Sequence, residues 1–306
     1  MNAVTINNIS KSYGAKKARV QALRGISFEV KKGELFGIIG PDGAGKTSLF
    51  RILTTLLLPD GGSATVDGLD VVKDFKQIRE RVGYMPGKFS LYQDLSVEEN
   101  LEFFATIFHT TIQDNYELIK DIYIQIEPFK NRKAGKLSGG MKQKLALSCA
   151  LIHRPAVLFL DEPTTGVDAV SRKEFWAMLK SLQKKGITIL VSTPYMDEAS
   201  LCDRVALIQN GSIMQMDSPA GIIESFGKPI YAARADKMLP LLNDLRSAPG
   251  VERAYPSGIY HNLVLDNISK EELMRYLSER NHEGLELIET LPTIEDCFMA
   301  LMQEHD

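Results

Sequence analysis

The residues from Gly40 to Ser48 have the types and spacing that binding a polyphosphate requires. They read Gly-Pro-Asp-Gly-Ala-Gly-Lys-Thr-Ser, which fits the phosphate-loop pattern Gly-x-x-x-x-Gly-Lys-Thr. Its glycines let the backbone turn sharply, so that consecutive N–H groups can approach a polyphosphate. Lys46 would place a positive charge beside the β- and γ-phosphates, and the Thr47 hydroxyl would bind Mg²⁺. We therefore predict a nucleotide site whose contacts come from the whole loop: Gly40, Pro41, Asp42, Gly43, Ala44, Gly45, Lys46, Thr47 and Ser48.

The sequence on either side of this loop predicts the setting that a phosphate site needs. Residues 35–39 form an apolar run of strand length, and residues 48–53 have apolar positions at helical spacing. A phosphate bound between them would lie at a helix N-terminus. There, unpaired N–H groups and the helix dipole both favour an anion.

An acidic pair, Asp161 and Glu162, directly follows the apolar run at 157–160, which is typical of a strand buried on both faces. Asp161 would hold Mg²⁺ opposite Thr47, and Glu162 would polarise the attacking water as general base. Taken alone, an acidic pair after a strand fits a solvated turn. The phosphate loop favours the metal-binding interpretation, with Glu162 and Lys46 as the predicted catalytic residues.

A second anion-binding helix start is predicted at 138–141, where Ser138, Gly139, Gly140 and Met141 follow Leu137. One ATP molecule does not need two such helix ends from a single chain.

Predicted strands and helices alternate as far as about residue 219. This alternation predicts an α/β core with a mainly parallel sheet and ligands at the carboxyl ends of its strands. After about Pro219 the pattern changes to β-α-β-β-α-β, which predicts a small α+β sandwich. We therefore predict two domains, 1–219 and 220–306, of which only the first carries a reactive constellation.

Composition excludes several classes of protein. The chain has 306 residues, 25% of them charged and 44% hydrophobic, as is ordinary for a globular protein. Its net charge of −3 gives no reason to expect nucleic acid as a partner. Three separated cysteines (Cys149, Cys202 and Cys297) argue against a disulfide scaffold or a structural zinc site. We expect no signal peptide, and no apolar run reaches about 18 residues, so any membrane span must come from another chain.

The order of these motifs resembles that of the ATP-binding cassette (ABC) ATPases. In that family a Leu-Ser-Gly-Gly-Gln motif contacts the γ-phosphate bound to the opposing subunit. Residues 137–141 match it except that Met141 replaces the glutamine, a variant similar to that of drug- and polysaccharide-exporter ATPases. The resemblance also implies that Tyr13 stacks on adenine and that residues 166–168 form the loop at the dimer seam.

The resemblance covers about residues 4–217, and the residues after it look like the extension of daunorubicin-type exporter ATPases. It implies a P-loop ATPase core with an antiparallel β subdomain and a helical subdomain at about 88–153, followed by a ferredoxin-like α+β extension. It implies ATP and Mg²⁺ as cofactors, with Ser138, Gly139, Gly140 and Met141 also contacting nucleotide. It further implies a cytoplasmic protein, peripheral on the inner face of the cell membrane, with two partners: a membrane permease and a second ABC ATPase, identical or homologous.

Two departures from the family pattern predict a weakened site. Gly87 stands where the family has a glutamine that reaches Mg²⁺ and the attacking water, and Pro194 stands where it has a histidine that contacts the γ-phosphate. Proline has neither an N–H nor a side-chain donor. No nearby histidine compensates, because His153 is expected to act as a cation at a helix C-terminus.

We therefore expect the ATP-binding subunit of an ABC exporter that hydrolyses ATP slowly at a dimer interface and drives a separate permease. The alternative is a largely non-hydrolytic ATP-binding regulatory subunit in a heterodimeric cassette pair. A cassette protein acting on ribosomes or DNA is disfavoured, because the chain lacks tandem cassettes, coiled-coil insertions and a basic surface. The resemblance implies that Phe89, Leu91 and Tyr92 are exposed and receive a short helix of the permease. The alternative is that they are ordinary core residues of a helical subdomain.

Overall fold

The computed structural model describes residues 1–14 and 19–304, which divide into two compact units, 1–219 and 220–306. The first unit contains, in chain order, β1 (Asn2–Tyr13), β2 (Val20–Lys31), β3 (Leu35–Ile39), α1 (Lys46–Leu53), β4 (Gly61–Val66), β5 (Leu69–Asp70), α2 (Phe75–Arg81), β6 (Val82–Met85), α3 (Val97–Ile107), α4 (Ile112–Tyr123), α5 (Gly139–Leu151), β7 (Val157–Asp161), α6 (Ala169–Lys184), β8 (Thr188–Thr193), β9 (Arg204–Gln209) and β10 (Ser212–Asp217).

The central sheet of this unit has six strands in the order β10-β9-β3-β8-β7-β6. Its strands run parallel except for β10, which pairs with β9 in the antiparallel sense. Every residue of β3, β7 and β8 is buried, as expected for parallel strands that are covered on both faces. The carboxyl ends of β3, β7 and β8 consequently meet at one edge, which brings together the residues that follow them.

A second, antiparallel sheet has the order β2-β1-β4-β5, and it shares one hydrophobic core with the central sheet and α1. Phe50 of α1 meets Phe159 of β7 edge to face, with 5.6 Å between ring centroids. Phe28 of β2 stacks on Phe36 of β3 at 5.1 Å. This aromatic packing fixes α1, and therefore the loop before it, against the central sheet.

The helices α3, α4 and α5 begin at side-chain caps. Ser96 and Glu99 form a capping box at the start of α3, and Thr111 with Asp114 forms another before α4. Ser138 caps α5, since its hydroxyl accepts a hydrogen bond from the Met141 N–H at 3.4 Å.

The second unit contains α7 (Pro219–Phe226), β11 (Ile230–Arg234), α8 (Met238–Ser247), β12 (Val251–Ser257), β13 (Tyr260–Leu265), α9 (Lys270–Ser278), β14 (Glu286–Thr290) and α10 (Ile294–Glu304). Its four strands pair in the antiparallel order β12-β13-β11-β14, and leucines of α8 and α9 pack with those of β13 and β14. This is the ferredoxin-like β-α-β-β-α-β arrangement, so the predicted fold class is confirmed. Within the described part of the chain, no helix combines the length and apolar content that crossing a membrane requires.

Candidate nucleotide site

The phosphate loop joins β3 to α1 and packs tightly against the backbone of neighbouring strands. A Cβ atom on Gly40 would lie 2.1 Å from the Ile208 carbonyl oxygen, and one on Gly45 would lie 2.4 Å from that of Ala22. Gly45 also has a left-handed backbone with φ of +107°, which side-chain-bearing residues rarely adopt. Both glycines are therefore required by packing.

Lys46 lies at the centre of this site. Its side chain is 3% exposed, and its ammonium donates hydrogen bonds to the carbonyl oxygens of Gly40 at 2.8 Å and Pro41 at 3.0 Å. The same nitrogen lies 3.2 Å from Oε1 of Glu162. The structure thus brings the two predicted catalytic side chains into direct contact across the mouth of the loop.

The acidic pair at the end of β7 is anchored by Ser192 of β8. The Ser192 hydroxyl donates a hydrogen bond of 2.6 Å to Oδ1 of Asp161, which is buried. The Glu162 N–H donates to the backbone carbonyl of Ser192 at 3.0 Å and contacts its hydroxyl at 3.1 Å. These bonds hold Glu162 in a left-handed conformation, with φ of +49°, that a non-glycine residue adopts only when its surroundings enforce it.

The chemistry of the donor set fits Mg²⁺ that arrives with a nucleotide. Asp161 and Thr47 offer a carboxylate and a hydroxyl, the oxygen ligands that Mg²⁺ prefers. Among the described residues, no group of three or more His, Cys, Asp or Glu side chains could hold a metal by itself. A magnesium ion at this site would therefore depend on phosphate oxygens and water for its remaining ligands.

Both departures from the family pattern lie at the rim of this site. A Cβ atom on Gly87 would lie 3.1 Å from the Asp161 carbonyl oxygen and 3.7 Å from Cβ of Glu162. Pro194 follows Thr193, whose carbonyl accepts the N–H of Gly40 at 3.3 Å. A hydrogen-bonding side chain at position 87 would therefore begin next to the acidic pair, and one at position 194 would begin next to the phosphate loop.

Tyr13 lies beside the phosphate loop. Its hydroxyl is 3.1 Å from Oγ of Ser48, and 42% of the residue is exposed. The ammonium of Lys11 is 6.0 Å from the centre of the ring. The ring therefore has a solvent-accessible surface close to the start of α1, where an adenine could stack on it.

The Ser138–Met141 stretch lies beside Gly166 and the first turn of α6. A Cβ atom on Gly139 would approach the carbonyl of Gly166 to 3.6 Å, and one on Gly140 would lie 2.7 Å from Oγ of Ser171. Within the described ranges, no hydrogen bond joins this stretch to residues 40–48. It lies against the loop that precedes α6, and Val170 in the first turn of that helix is 70% exposed.

A groove of about 320 Å³, lined mainly by apolar side chains, lies between β6, α3 and α5. Phe89 and Leu91 line this groove, and Tyr92 beside them is 50% exposed. The prediction that all three side chains are exposed is wrong for Leu91, which is only 8% exposed. Leu91 therefore belongs to the wall of the groove, while Tyr92 is accessible at its edge.

Two titratable residues of this groove are uncharged at neutral pH. The expected cationic role of His153 is wrong, because burial lowers its pKa and its ring stacks on Phe108 at 3.8 Å. Burial, followed by the negative charge of Asp161, raises the pKa of Tyr84 to about 12. These two side chains therefore contribute no charge to the lining, which also includes Arg79.

Sequence reasoning missed a set of hydroxyl groups that hold the site together. Ser192 anchors the acidic pair, and Thr164 and Thr193 both donate to the buried carboxylate of Glu198. A signal for Ser192 and Thr193 was present, because they end a buried parallel strand whose carboxyl end had to face the site. Thr164 and Glu198 carried no comparable signal, since their proximity depends on how two loops fold back.

Comparison with known proteins gives this architecture its family. A family model described as ABC transporter matches residues 23–165. The probable multidrug ABC transporter ATP-binding protein YbhF of Escherichia coli K12 is 36% identical over 98% of this chain, which spans only 52% of that protein. The daunorubicin resistance ATP-binding protein DrrA2 of Streptomyces coeruleorubidus is 34% identical, with 98% of this chain and 94% of that protein covered.

A solved structure shows the same core. The dimeric ATP-binding cassette MJ0796, in a post-hydrolysis state bound to ADP and Pi, is 25% identical, with a TM-score of 0.64. The match covers 70% of this chain and 98% of that one. The chain described here belongs to the ABC transporter family, among its ATP-binding proteins.

Proposed function

We propose that this chain binds ATP with Mg²⁺ at the phosphate loop and hydrolyses it slowly to drive a separate membrane permease. The observation that carries the proposal is the position of the Lys46 ammonium, 3.2 Å from Glu162 and within hydrogen-bond distance of two loop carbonyls. This arrangement places a phosphate-binding cation and a general base at the same point. ATP hydrolysis needs both groups there.

In the proposed reaction the loop N–H groups, Lys46 and the start of α1 bind the triphosphate. Glu162 accepts a proton from a water molecule as the water oxygen attacks the γ-phosphorus, and the bond to the β-phosphate oxygen breaks to release ADP. The left-handed backbone of Glu162, fixed by Ser192, directs this carboxylate toward the loop. Mg²⁺ bound by Thr47 and Asp161 would neutralise part of the phosphate charge.

We infer that turnover is slow because two orienting groups are missing. Gly87 and Pro194 both lie at the rim, and neither has a side-chain donor for the γ-phosphate or the attacking water. Losing one oriented donor to a transferring group costs about 3–4 kcal/mol, or 10²–10³ in rate. Since Lys46 and the loop remain, nucleotide binding should be largely retained.

We propose that a second cassette, identical or homologous, completes the site across the face formed by Ser138–Met141 and the loop before α6. Among the described residues, no hydrogen bond ties Ser138–Met141 to the chain's own phosphate loop, which supports a role for this helix N-terminus toward a nucleotide held by another subunit. The solved relative MJ0796 is itself a dimer with ADP and Pi. The chain retains residues 138–141, but its own nucleotide site lacks donors at Gly87 and Pro194. This combination favours a cassette pair with one strong and one weak hydrolytic site.

We propose that the groove between β6, α3 and α5 receives a segment of the permease, with Tyr92 at its edge. Its apolar lining and its position next to Gly87 support this docking role. The permease would hold the protein at the inner face of the cell membrane. Export is the direction suggested by the names of the relatives, which include a multidrug transporter and a drug-resistance protein.

Gly87 and Pro194 also favour a second function, that of a largely non-hydrolytic subunit which binds ATP and regulates a catalytic partner. The two functions differ in single-turnover chemistry. With protein in excess over radiolabelled ATP, the hydrolytic function predicts phosphate release that Glu162→Gln abolishes while leaving ATP affinity unchanged. Glu174→Gln is the matched control, because Glu174 is a half-exposed glutamate paired with Lys144 on the surface.

Calorimetric titration with Mg-ATP tests the binding half of the proposal. The parent chain should bind, and Lys46→Ala should lose most of the affinity because the buried cation is removed from the loop. Binding without any phosphate release that depends on Glu162 would leave only the regulatory function. Absence of binding, or binding unaffected by Lys46→Ala, would refute both.

A further inference from the structure

Glu198 is a buried carboxylate that the proposed chemistry does not use. It lies in the short 3₁₀ turn Met196–Leu201 and is 2% exposed. Its Oε2 atom accepts hydrogen bonds from the hydroxyl of Thr193 at 2.6 Å and that of Thr164 at 3.1 Å. A carboxylate removed from water at considerable cost in this way is held by specific donors, and these two have a defined place in the fold.

The two donors belong to different loops of the site. Thr193 is the last residue of β8, and its carbonyl oxygen accepts the N–H of Gly40 in the phosphate loop at 3.3 Å. Thr164 lies two residues after Glu162, in the loop that leads to Gly166 on the Ser138–Met141 face. The Oε2 atom of Glu198 therefore connects the end of β8, which contacts the phosphate loop, with the loop at 163–168.

The other carboxylate oxygen, Oε1, could still accept a hydrogen bond. Among the described residues, Oε1 of Glu198 is buried and makes no hydrogen bond. The Nε atom of Arg172 lies 3.9 Å from Oε1. Arg172 stands near the start of α6, pairs with Asp197 at 3.1 Å and lies 4.9 Å from the ring centre of Tyr195. A displacement of α6 by about 1 Å would bring Arg172 to hydrogen-bond distance of Glu198.

We propose that Glu198 is a positioning residue that couples the loop at 163–168 to the end of β8 beside the phosphate loop. Thr193, at the end of β8, contacts the phosphate loop through its carbonyl oxygen and Glu198 through its hydroxyl. Pro194, the next residue, supplies no donor to either. Movement at the 163–168 loop or at α6 is transmitted through this carboxylate to the Thr193 carbonyl. The coupling is a property of the single chain, whereas its consequence for assembly rests on the proposed function.

Thr164→Val tests the coupling, because it is close to isosteric and removes only the hydroxyl that donates to Glu198. Thr165→Val is the matched control, since Thr165 is the exposed neighbour and its side chain makes no hydrogen bond within the described part of the chain. In the full chain with ATP, hydrogen–deuterium exchange at 193–199 should become about five- to tenfold faster in Thr164→Val, the effect of losing one hydrogen bond of ordinary strength. Thr193→Val should accelerate exchange at 163–168 in return.

Two exchange results would overturn the inference. One is acceleration confined to the mutated loop, which would mean that the loops are not coupled. The other is acceleration of all protected amides alike, which would mean general destabilisation. The Thr165→Val control should leave both loops at the parent rate.

A second measurement examines assembly in a Glu162→Gln background, where bound ATP is not consumed. Thr164→Val should leave the ATP affinity of the single chain within about twofold while weakening ATP-dependent association at least fivefold. Association unchanged by Thr164→Val contradicts the inference. If Thr164→Val and Thr193→Val each accelerate exchange in the other loop but the chain does not associate with any cassette in ATP, the proposed cassette pair is refuted and the coupling within the chain is retained.

Discussion

Pro194→His should raise the rate of ATP hydrolysis, because it adds a donor at the end of β8 where the family has a histidine. The backbone at this point is already in place, since the Thr193 carbonyl is hydrogen-bonded to Gly40 of the phosphate loop at 3.3 Å. Thr193 is also tied to Glu198 at 2.6 Å. The new imidazole would therefore start from an anchored position beside the bound phosphates.

The size of the effect follows from the value of one oriented donor. A complete donor is worth about 3–4 kcal/mol, or 10²–10³ in rate. We expect at least tenfold and less than the full value, because no neighbouring group has been selected to orient the new ring. Gly87→Gln should give less, since a Cβ atom there would be 3.1 Å from the Asp161 carbonyl and would force a shift of the metal-binding strand.

The assay is single-turnover phosphate release with the protein in excess over ATP. Pro194→Ala separates relief of the proline constraint from the gain of a donor, and Tyr195→His places the same ring one residue out of register. A double variant with Glu162→Gln should return the rate to background, because water activation is lost. Equal rates for Pro194→His and Pro194→Ala would refute the reasoning that a missing donor limits this site.

Three further outcomes are expected. Gly45→Ala should abolish ATP binding measured by calorimetry, because its Cβ atom would lie 2.4 Å from a backbone oxygen, while circular dichroism remains that of the parent. Tyr13→Ala should weaken ATP binding about five- to tenfold and CTP binding less, since the ring supplies about 0.5–1.5 kcal/mol of stacking. At Asp296, burial would raise the pKa, but hydrogen bonds led by that from Tyr255 outweigh it and hold the pKa below 3.8. The resulting stabilisation exists above the unfolded-state pKa and is lost as pH falls through the folded-state value, so the urea stability of Asp296→Asn should fall less than the parent's at acid pH.

The parts of this fold that could be predicted are those with a strong local signal. The phosphate loop, the buried strand before Asp161 and the capping box at Ser96 are each specified within about ten residues. The β-α-β-β-α-β order of the second unit was likewise readable from periodicity. Such signals identify a strand or helix and the residue at its end. The parallel sheet then brings the carboxyl ends of its strands together at one edge.

The errors arose where burial depends on distant residues. Leu91 and Tyr92 are adjacent and both apolar, yet one closes the groove and the other is exposed. His153 follows the last turn of α5, where a cation is favourable, but Phe108 covers its ring. Local pattern gives no information about which side chain a folded neighbour will cover. The Glu198 cluster was missed for the same reason, since its two donors, Thr164 and Thr193, are 29 positions apart in the sequence.

The retained and missing groups of this site act on different steps, and that difference shapes the proposed function. The loop amides and Lys46 contact phosphates in both ground and transition states, so they set affinity. The missing donors at 87 and 194 would act mainly as the γ-phosphoryl group transfers, so their loss lowers the rate without lowering occupancy. A site of this kind stays loaded with ATP for longer than a complete one. In a cassette pair, a persistently occupied site would hold one half of the interface closed while the partner's site completes repeated cycles, and that role requires Glu162 to act only rarely.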